Sequence, residues 1–406
     1  MNKKIKIALL KETKMPPDKR AALSPTQALE LTKNFPNVEL YIQSSNIRAF
    51  SDSEYTDRGL TVTKDVNHCD IMLGVKEVAI SKLQANKTYF FFSHTAKKQE
   101  YNRDLLQNLL EKNIRMIDYE YLTYESGVRI IAFGRWAGLV GAYNGLRAYG
   151  KREGLFNLKQ AINTGGTQEM FNELKNKAKF PPVKILLTGG GRVAQGALET
   201  LSIPDITAIK PHEFLNNEYD QPVFTQLDPG DYVYHKHNKP FELQHFFNHP
   251  EEYESSFARY THKADIYIAC HFWDEKSPKF IPKELLKQPD FNIKVIADVS
   301  CDIAGPIAST IRPSEIANPY YGYDIEAESE GYPFDKFNLT VMAVDNLPGE
   351  VPRDASEDFS HVLIKNIMPA LLHEDTDGII QRATITNAGK LGPHFTYLKD
   401  FSEGKE

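Results

Sequence analysis

Near the middle of the chain the run VKILLTGGGRVAQGALETL, residues 183 to 201, reads as a buried strand, a glycine turn and an amphipathic helix. Val183, Ile185, Leu186 and Leu187 supply the apolar run of a parallel strand. Gly189 allows the sharp turn, Gly191 lets the backbone approach a pyrophosphate, and Ala194 permits close helix packing. The helix N-terminus then offers unpaired N–H groups to phosphates. This is the spacing of a dinucleotide site. No Lys-Ser or Lys-Thr pair closes the turn, which excludes a phosphate loop of nucleoside triphosphatases.

The sequence on either side continues an α/β pattern. Ile5 to Leu10, Val38 to Ile42, Ile71 to Val75, Tyr89 to Phe92 and Ile114 to Ile117 read as strands, with helices expected around Thr26 to Lys33 and Leu105 to Leu110. DIYIACHFW and VIADVS read as later strands of the dinucleotide sheet, their carboxyl ends turned to the cofactor. Gly134, Gly138, Gly141 and Gly145 recur along one helix, and each costs helix propensity by about 1 kcal/mol, so close packing must offset them. That helix is a natural bridge between domains. Toward the C-terminus Pro352 opens a helix with Asp354 and Glu357 as a capping-box-like pair and Phe359, Leu363 and Ile367 on one face.

A chain of 406 residues, 41% hydrophobic and 25% charged, can bury more than one core. The expectation is therefore two Rossmann-like domains, with the dinucleotide-binding domain (136–349) inserted into a substrate domain (1–135 and 350–406). The active site is expected in the cleft between them. A net charge of -6 without a basic stripe argues against nucleic acid or an anionic membrane surface as partner. Lys11 and Glu12 end the first apolar run too early for a signal peptide, and Arg135 and Arg147 interrupt the best candidate for a membrane span. Cys69, Cys270 and Cys301 are too scattered for a disulfide framework or a zinc site, which points to a reducing, cytoplasmic setting. Seven histidines fall between His212 and His271, with His245 and His249 one helical turn apart. The segment lacks cysteines and a compact carboxylate cluster, so no metal is expected.

Two residues at strand ends in the first part are suited to proton transfer. Lys76 follows IMLGV and His94 follows TYFFFS, where parallel strands give way to loops that collect active-site groups. A desolvated lysine beside other cations loses basicity, and a histidine titrates near neutrality. The bland alternative is a solvated strand end and a satisfied core histidine. No Gly-x-Ser-x-Gly elbow supports hydrolase chemistry.

The segments KRAALSP, GVKEV, FFFSHTAKKQEYN, IDYE, GVRIIAFGRWAG, TGGGRVAQGA, DVSCDIAGPI and AVDNLPGEVPRDAS, in that order, resemble the saccharopine dehydrogenase family. The likeness is strongest to the lysine/2-oxoglutarate reductase domain of animal and plant aminoadipic semialdehyde synthase. Fungal saccharopine dehydrogenase and alanine dehydrogenase are similar but more distant. It extends over NHPEEYESSFARY and RATITNAGKL, and so over nearly the whole chain. The resemblance implies hydride transfer between a nicotinamide cofactor and the carbon that links the lysine ε-nitrogen to a glutarate unit, through an imine. It makes Lys76 and His94 the acid/base pair and places Arg20, Glu77, Lys97, Glu120 and Arg129 around the substrate. Gly189, Gly191, Arg192, Val193, Ala194, Asp345, Asn346 and Leu347 would hold the cofactor. Saccharopine carries three carboxylates and two amino nitrogens, and a pocket mixing these cations and anions complements it.

An NAD site normally shows an acid about 20 residues after the first glycine, at the end of the second strand. Lys210 occupies that place, which favours NADP, while Glu213 nearby keeps NAD open. Other readings are an alanine or opine dehydrogenase and, in a different class, a binding protein that senses NADPH without turnover. Oligomeric state and physiological direction stay open.

Overall fold

The computed structural model describes residues 4–405. The chain divides into two compact units, one formed by Met1–Phe133 with Pro352–Glu406 and the other by Gly134–Val351. Each is built on its own eight-stranded sheet.

In the first unit, strands β1 (Ile5–Leu9), β2 (Val38–Gln43), β3 (Thr61–Thr63), β4 (Ile71–Leu73), β5 (Thr88–Phe91) and β6 (Arg115–Asp118) run parallel in the order β6-β5-β4-β1-β2-β3. Thr384–Asn387 adds an antiparallel strand beside β6, and Lys390–Leu391 lies beyond it. The lysine-flanked N-terminal run is a central strand, with Ile7 and Ala8 fully buried. Layers on both faces of a parallel sheet demand such residues. The strand order reverses between β1 and β4, so the chain leaves their carboxyl ends in opposite directions and opens a crevice there. The short edge strand β3 has no exposed-and-buried alternation in the sequence to announce it.

The second unit begins with the helix Gly134–Arg152 and contains β7 (Lys184–Thr188), β8 (Thr207–Ala208), β9 (Val223–Leu227), β10 (Val233–His235), β11 (Tyr253–Ser255), β12 (Ile266–Ala269), β13 (Val295–Asp298), β14 (Tyr320–Asp324), β15 (Ser329–Gly331) and β16 (Leu339–Met342). The main sheet has the order β15-β14-β16-β13-β12-β7-β9-β8, while β10 and β11 form a separate antiparallel ribbon. At one edge β14 runs antiparallel to both of its neighbours, β16 and β15. The order reverses between β7 and β12, where the glycine turn leaves the sheet. Both units are thus Rossmann-like α/β layers.

The glycine-rich helix Gly134–Arg152 is the first element of the second unit. It crosses the helix Arg192–Leu201 backbone to backbone. A Cβ on Gly138 would stand 1.7 Å from the Val193 carbonyl oxygen, and one on Gly196 1.8 Å from that of Arg135. The Thr200 hydroxyl donates to the Leu139 carbonyl at 2.8 Å across the same crossing. Close van der Waals contact therefore offsets the poor helix propensity of glycine.

The helix Pro352–Val362 buries Phe359 and continues through a π-helical turn, Leu363–Ile367, with Leu363 and Ile367 buried. Because helical geometry already begins at Pro352, Asp354 lies inside the first turn and is not the cap that the sequence pattern implies. Its charge still complements the helix N-terminus. Among the described residues, no helix is long and apolar enough to cross a membrane.

Candidate functional site

The charged residues nominated in the first unit follow the carboxyl ends of neighbouring parallel strands. Lys76 and Glu77 come after β4, His94 and Lys97 after β5, and Glu120 after β6. Arg129 is brought back by an antiparallel bridge to Thr123. Glu120 is the hub. Its Oε1 accepts from Arg129 Nη2 at 2.6 Å and lies 3.2 Å from Lys97 Nζ, while Oε2 faces His94 Nδ1 at 3.6 Å. On the other side of the ring, His94 Nε2 is 4.0 Å from Glu77 Oε1, and Lys14 Nζ donates to Glu77 Oε2 at 2.7 Å.

The electrostatics follow from this packing. Burial pushes the Glu120 carboxyl up, but His94, Arg129 and Lys97 outweigh it and hold the group at about 2. Burial lowers the Lys76 ammonium below its ordinary value, and the Arg20 guanidinium adds to that. Both carboxylate oxygens that face the imidazole, Glu77 Oε1 and Glu120 Oε2, are buried without a hydrogen-bond partner. Such atoms are costly in isolation. Here they flank the two ring nitrogens of His94, at 4.0 and 3.6 Å.

Several positioning groups went unrecognised in the sequence. Glu12, just beyond β1, accepts the N–H groups of Val75 and Lys76 at 2.7 and 2.9 Å and so fixes the backbone from which Lys76 projects. Burial pushes its carboxyl up to about 7. The rule that picked out Lys76, a polar residue where a parallel strand ends, also finds Glu12. Asp18 grips Arg20 with two bonds of 3.0 and 2.7 Å, and the guanidinium stacks over Phe133 at 4.3 Å. Asp118, fully buried, accepts the Ser93 hydroxyl at 2.6 Å, the Ser93 N–H at 2.9 Å and the Glu120 N–H at 2.8 Å. It thereby ties the loops of His94 and Glu120 together. His94 itself sits at φ +56°, a left-handed conformation that a non-glycine residue holds only when its surroundings enforce it.

In the second unit the turn after β7 has the geometry of a phosphate cradle. Gly189 has φ +104°, and a Cβ there would meet the Cys270 carbonyl oxygen at 2.4 Å, so glycine is obligatory. Gly191 caps the helix Arg192–Leu201 with no side-chain hydrogen bond, and a Cβ on it would meet nothing within 4 Å. Open space in front of uncapped helix N–H groups suits a pyrophosphate. Arg192 and Val193 form the first turn, and Ala194 is fully buried behind it. Leu347 is buried against Gly141, while Asn346 is half-buried and Asp345 exposed.

Lys210 is exposed at the end of β8, but β8 pairs only with β9, and it is β9 that lies beside β7. The second strand in sequence is therefore not the neighbour of the glycine strand. The Glu213 carboxylate accepts the Lys210 N–H at 2.8 Å as a helix cap.

Within the histidine-rich excursion, His235, His245 and Glu252 bring three potential ligand atoms together. The hydrogen bonds oppose a cation there. His235 Nδ1 accepts the His237 N–H at 3.0 Å, which leaves the ring proton on Nε2, facing Glu252 Oε2 at 3.0 Å. A ligating imidazole needs the reverse, a bare nitrogen inward and an N–H on the far side. His271 stacks on Phe280 with centroids 3.9 Å apart, and burial pushes its ring down to about 3. Cys69, Cys270 and Cys301 are free thiols, each pushed up by burial and so poor nucleophiles.

Residues 8–140 match the alanine dehydrogenase/PNT N-terminal domain and residues 176–391 the alanine dehydrogenase/PNT C-terminal domain. Among curated proteins, the chain is 27% identical to the mitochondrial alpha-aminoadipic semialdehyde synthase of Mus musculus, over 96% of this chain and 47% of that protein. For the Arabidopsis thaliana alpha-aminoadipic semialdehyde synthase the figures are 24%, 97% and 41%. The chain thus spans about half the length of these curated relatives or less. It is 25% identical to a saccharopine dehydrogenase [NAD(+), L-lysine-forming] of Yarrowia lipolytica, over 94% of this chain and 96% of that protein. Among solved structures, an L-alanine dehydrogenase superposes with a TM-score of 0.68 at 18% identity, covering 98% of this chain and all of that one. A transhydrogenase from Sinorhizobium meliloti gives 0.59 at 15% identity, covering 96% and 99%. Both share the fold. With the two domain families matched in order along most of its length, the chain belongs to the alanine dehydrogenase/PNT family.

Proposed function

We propose that the chain is a nicotinamide-dependent oxidoreductase that interconverts saccharopine with lysine and 2-oxoglutarate. The observation that carries this reading is the convergence of His94, Lys97 and Arg129 on Glu120 beside a desolvated Lys76. A pocket for alanine needs to neutralise one carboxylate and one amine. This cluster offers Arg20, Lys97 and Arg129 for several carboxylates, and Glu77 and Glu120 for amino groups.

In this reading the second unit holds the cofactor through Gly189, Gly191, the first turn at Arg192 and Val193, and the Asp345 to Leu347 segment. The cofactor supplies the hydride that reduces the imine carbon. Lys76, with its basicity reduced by burial and Arg20, takes a proton from the lysine ε-ammonium, so that the free amine attacks the 2-oxoglutarate carbonyl. His94 then delivers a proton to the carbinolamine hydroxyl, which leaves as water and gives the imine. The glutamates on both sides of the ring stabilise its protonated form. In reverse the same two groups hydrate the imine and return the proton to the leaving amine. The three free thiols suit a reducing, cytoplasmic setting.

Titration of saccharopine against the enzyme with oxidised cofactor tests the reading. Saturable growth of reduced-nicotinamide absorbance, with lysine as product, is expected. Growth with alanine and none with saccharopine would transfer the site to the alanine dehydrogenase reaction.

A further inference from the structure

Two crossovers in the sheet of the first unit carry no α-helix. Parallel strands are normally joined by helices that cover the sheet faces. Here the chain passes from β3 to β4 through residues 64–70 without a helix, and from β4 to β5 through residues 74–87 with a single 3-10 turn, Ile80–Lys82. Both crossovers line one cavity of about 360 Å³. That volume falls in the range of small-molecule sites. Met72 and Tyr89, paired across β4 and β5, line it together with Leu10, Val66 and Val78. None of Lys76, Glu77, His94, Lys97, Glu120 and Arg129 does so, and the cavity is therefore separate from the charged cluster.

The polar part of the lining is rich in donors. Lys11, Lys64 and Lys82 contribute three ammonium groups, none of them in an ion pair among the described residues. Gln43 Oε1 accepts the Lys11 N–H at 3.0 Å, which leaves the amide nitrogen of Gln43 as the end available to donate. The Tyr89 hydroxyl, on a buried side chain, accepts the Gln84 N–H at 3.0 Å, while its own proton has no acceptor among the described residues. An unmatched buried donor is costly unless an acceptor arrives. Asp65 is the one acid in the lining, and its Oδ1 already accepts the Asn67 N–H at 2.8 Å. Three cations with further donors around an apolar floor call for groups that only accept, as ionised carboxylates do, carried on a hydrocarbon body.

We propose that this cavity binds a small polycarboxylate, an organic anion with two or three carboxylates on an apolar skeleton. The carboxylates meet the lysines, the Gln43 amide and the Tyr89 hydroxyl, and the skeleton lies on Met72, Val66 and Val78. The site does not depend on the proposed reaction.

The test is calorimetric binding to the intact chain at low ionic strength, with propane-1,2,3-tricarboxylate and inorganic phosphate as probes. The tricarboxylate is expected to bind saturably with Kd below about 1 mM and at least about tenfold more tightly than phosphate, which has no skeleton to bury. Lys64 and Lys82 are exposed, so their replacement leaves the core intact. The double variant Lys64→Ala, Lys82→Ala is expected to weaken the tricarboxylate by about tenfold or more, and Tyr89→Phe by about three- to tenfold. Arg129→Ala, in the separate cluster, is expected to leave its affinity within about twofold. Absence of saturable binding, phosphate bound as tightly as the tricarboxylate, or native affinity in the double lysine variant would overturn the proposal. So would loss of binding in Arg129→Ala, which would place the tricarboxylate at the charged cluster.

Discussion

His94 Nδ1 faces Glu120 Oε2 at 3.6 Å, while the other oxygen of the same carboxylate holds Arg129 at 2.6 Å and Lys97 at 3.2 Å. One carboxylate thus sets the position of two cations and an imidazole. Burial opposes its charge, but these partners hold it at about 2, below its ordinary 4.5. As pH falls from about 4.5 to about 2, the unfolded chain takes up the proton first, so this contribution to stability is present above that window and is lost within it. Glu120→Gln should flatten the acid limb of thermal stability and cost about 1–2 kcal/mol at neutral pH, since Lys97 and Arg129 are half exposed and screened. Thermal unfolding between pH 3 and pH 7 reads both; an unaltered acid limb would remove Glu120 from this role.

Glu12 has the opposite sign. Its carboxyl is pushed from 4.5 to about 7, so the native chain binds a proton that the unfolded chain has released, and stability falls as pH rises through that window. Glu12→Gln keeps the side-chain oxygen as an acceptor for one of the Val75 and Lys76 N–H groups. It is expected to reduce the slope between pH 4.5 and 7 in a denaturant-unfolding series, the remainder belonging to Glu350, which burial likewise pushes up to about 7. A slope equal to that of the native chain would show that another group titrates there.

Two glycines separate packing from ligand binding. Gly138→Ala forces a methyl group to within 1.7 Å of the Val193 carbonyl oxygen, and a loss of about 2–3 kcal/mol of stability is expected. Gly191→Ala meets no neighbour within 4 Å and has an ordinary φ of −87°, so the melting temperature should hold while cofactor affinity falls by about tenfold or more. A stable Gly138→Ala, or a Gly191→Ala that binds cofactor normally, would each contradict its assignment.

His94→Ala is expected to lower turnover by about 100-fold or more while cofactor affinity changes by less than about twofold. The ring lies among first-unit residues, whereas the glycine turn belongs to the second unit. Equal losses in turnover and cofactor binding would count against proton transfer by His94.

The local elements were legible where one chain segment determines them. The glycine turn, the buried β7, and the apolar face of Phe359, Leu363 and Ile367 follow from periodicity and from conformations only glycine adopts. The crossing at Gly138 was legible as a need for close packing, but Gly196 and the Val193 carbonyl as its partners were not, since they depend on tertiary docking. Strand order misled most. β8 is two exposed residues, and nothing in the sequence states that the chain returns inside it as β9, so the place of Lys210 beyond an edge strand was not legible. In the charged cluster, Lys76, Glu77, His94, Lys97, Glu120 and Arg129 were all named. Glu12 and Asp118 act on them through backbone N–H groups, and no side-chain motif announces such bonds.

The most direct test follows oxidation of reduced nicotinamide with lysine plus 2-oxoglutarate, with pyruvate plus ammonia, and with each component left out in turn. Oxidation that requires lysine and 2-oxoglutarate together is the expected result. Oxidation with pyruvate and ammonia alone, and none with the lysine pair, would contradict it.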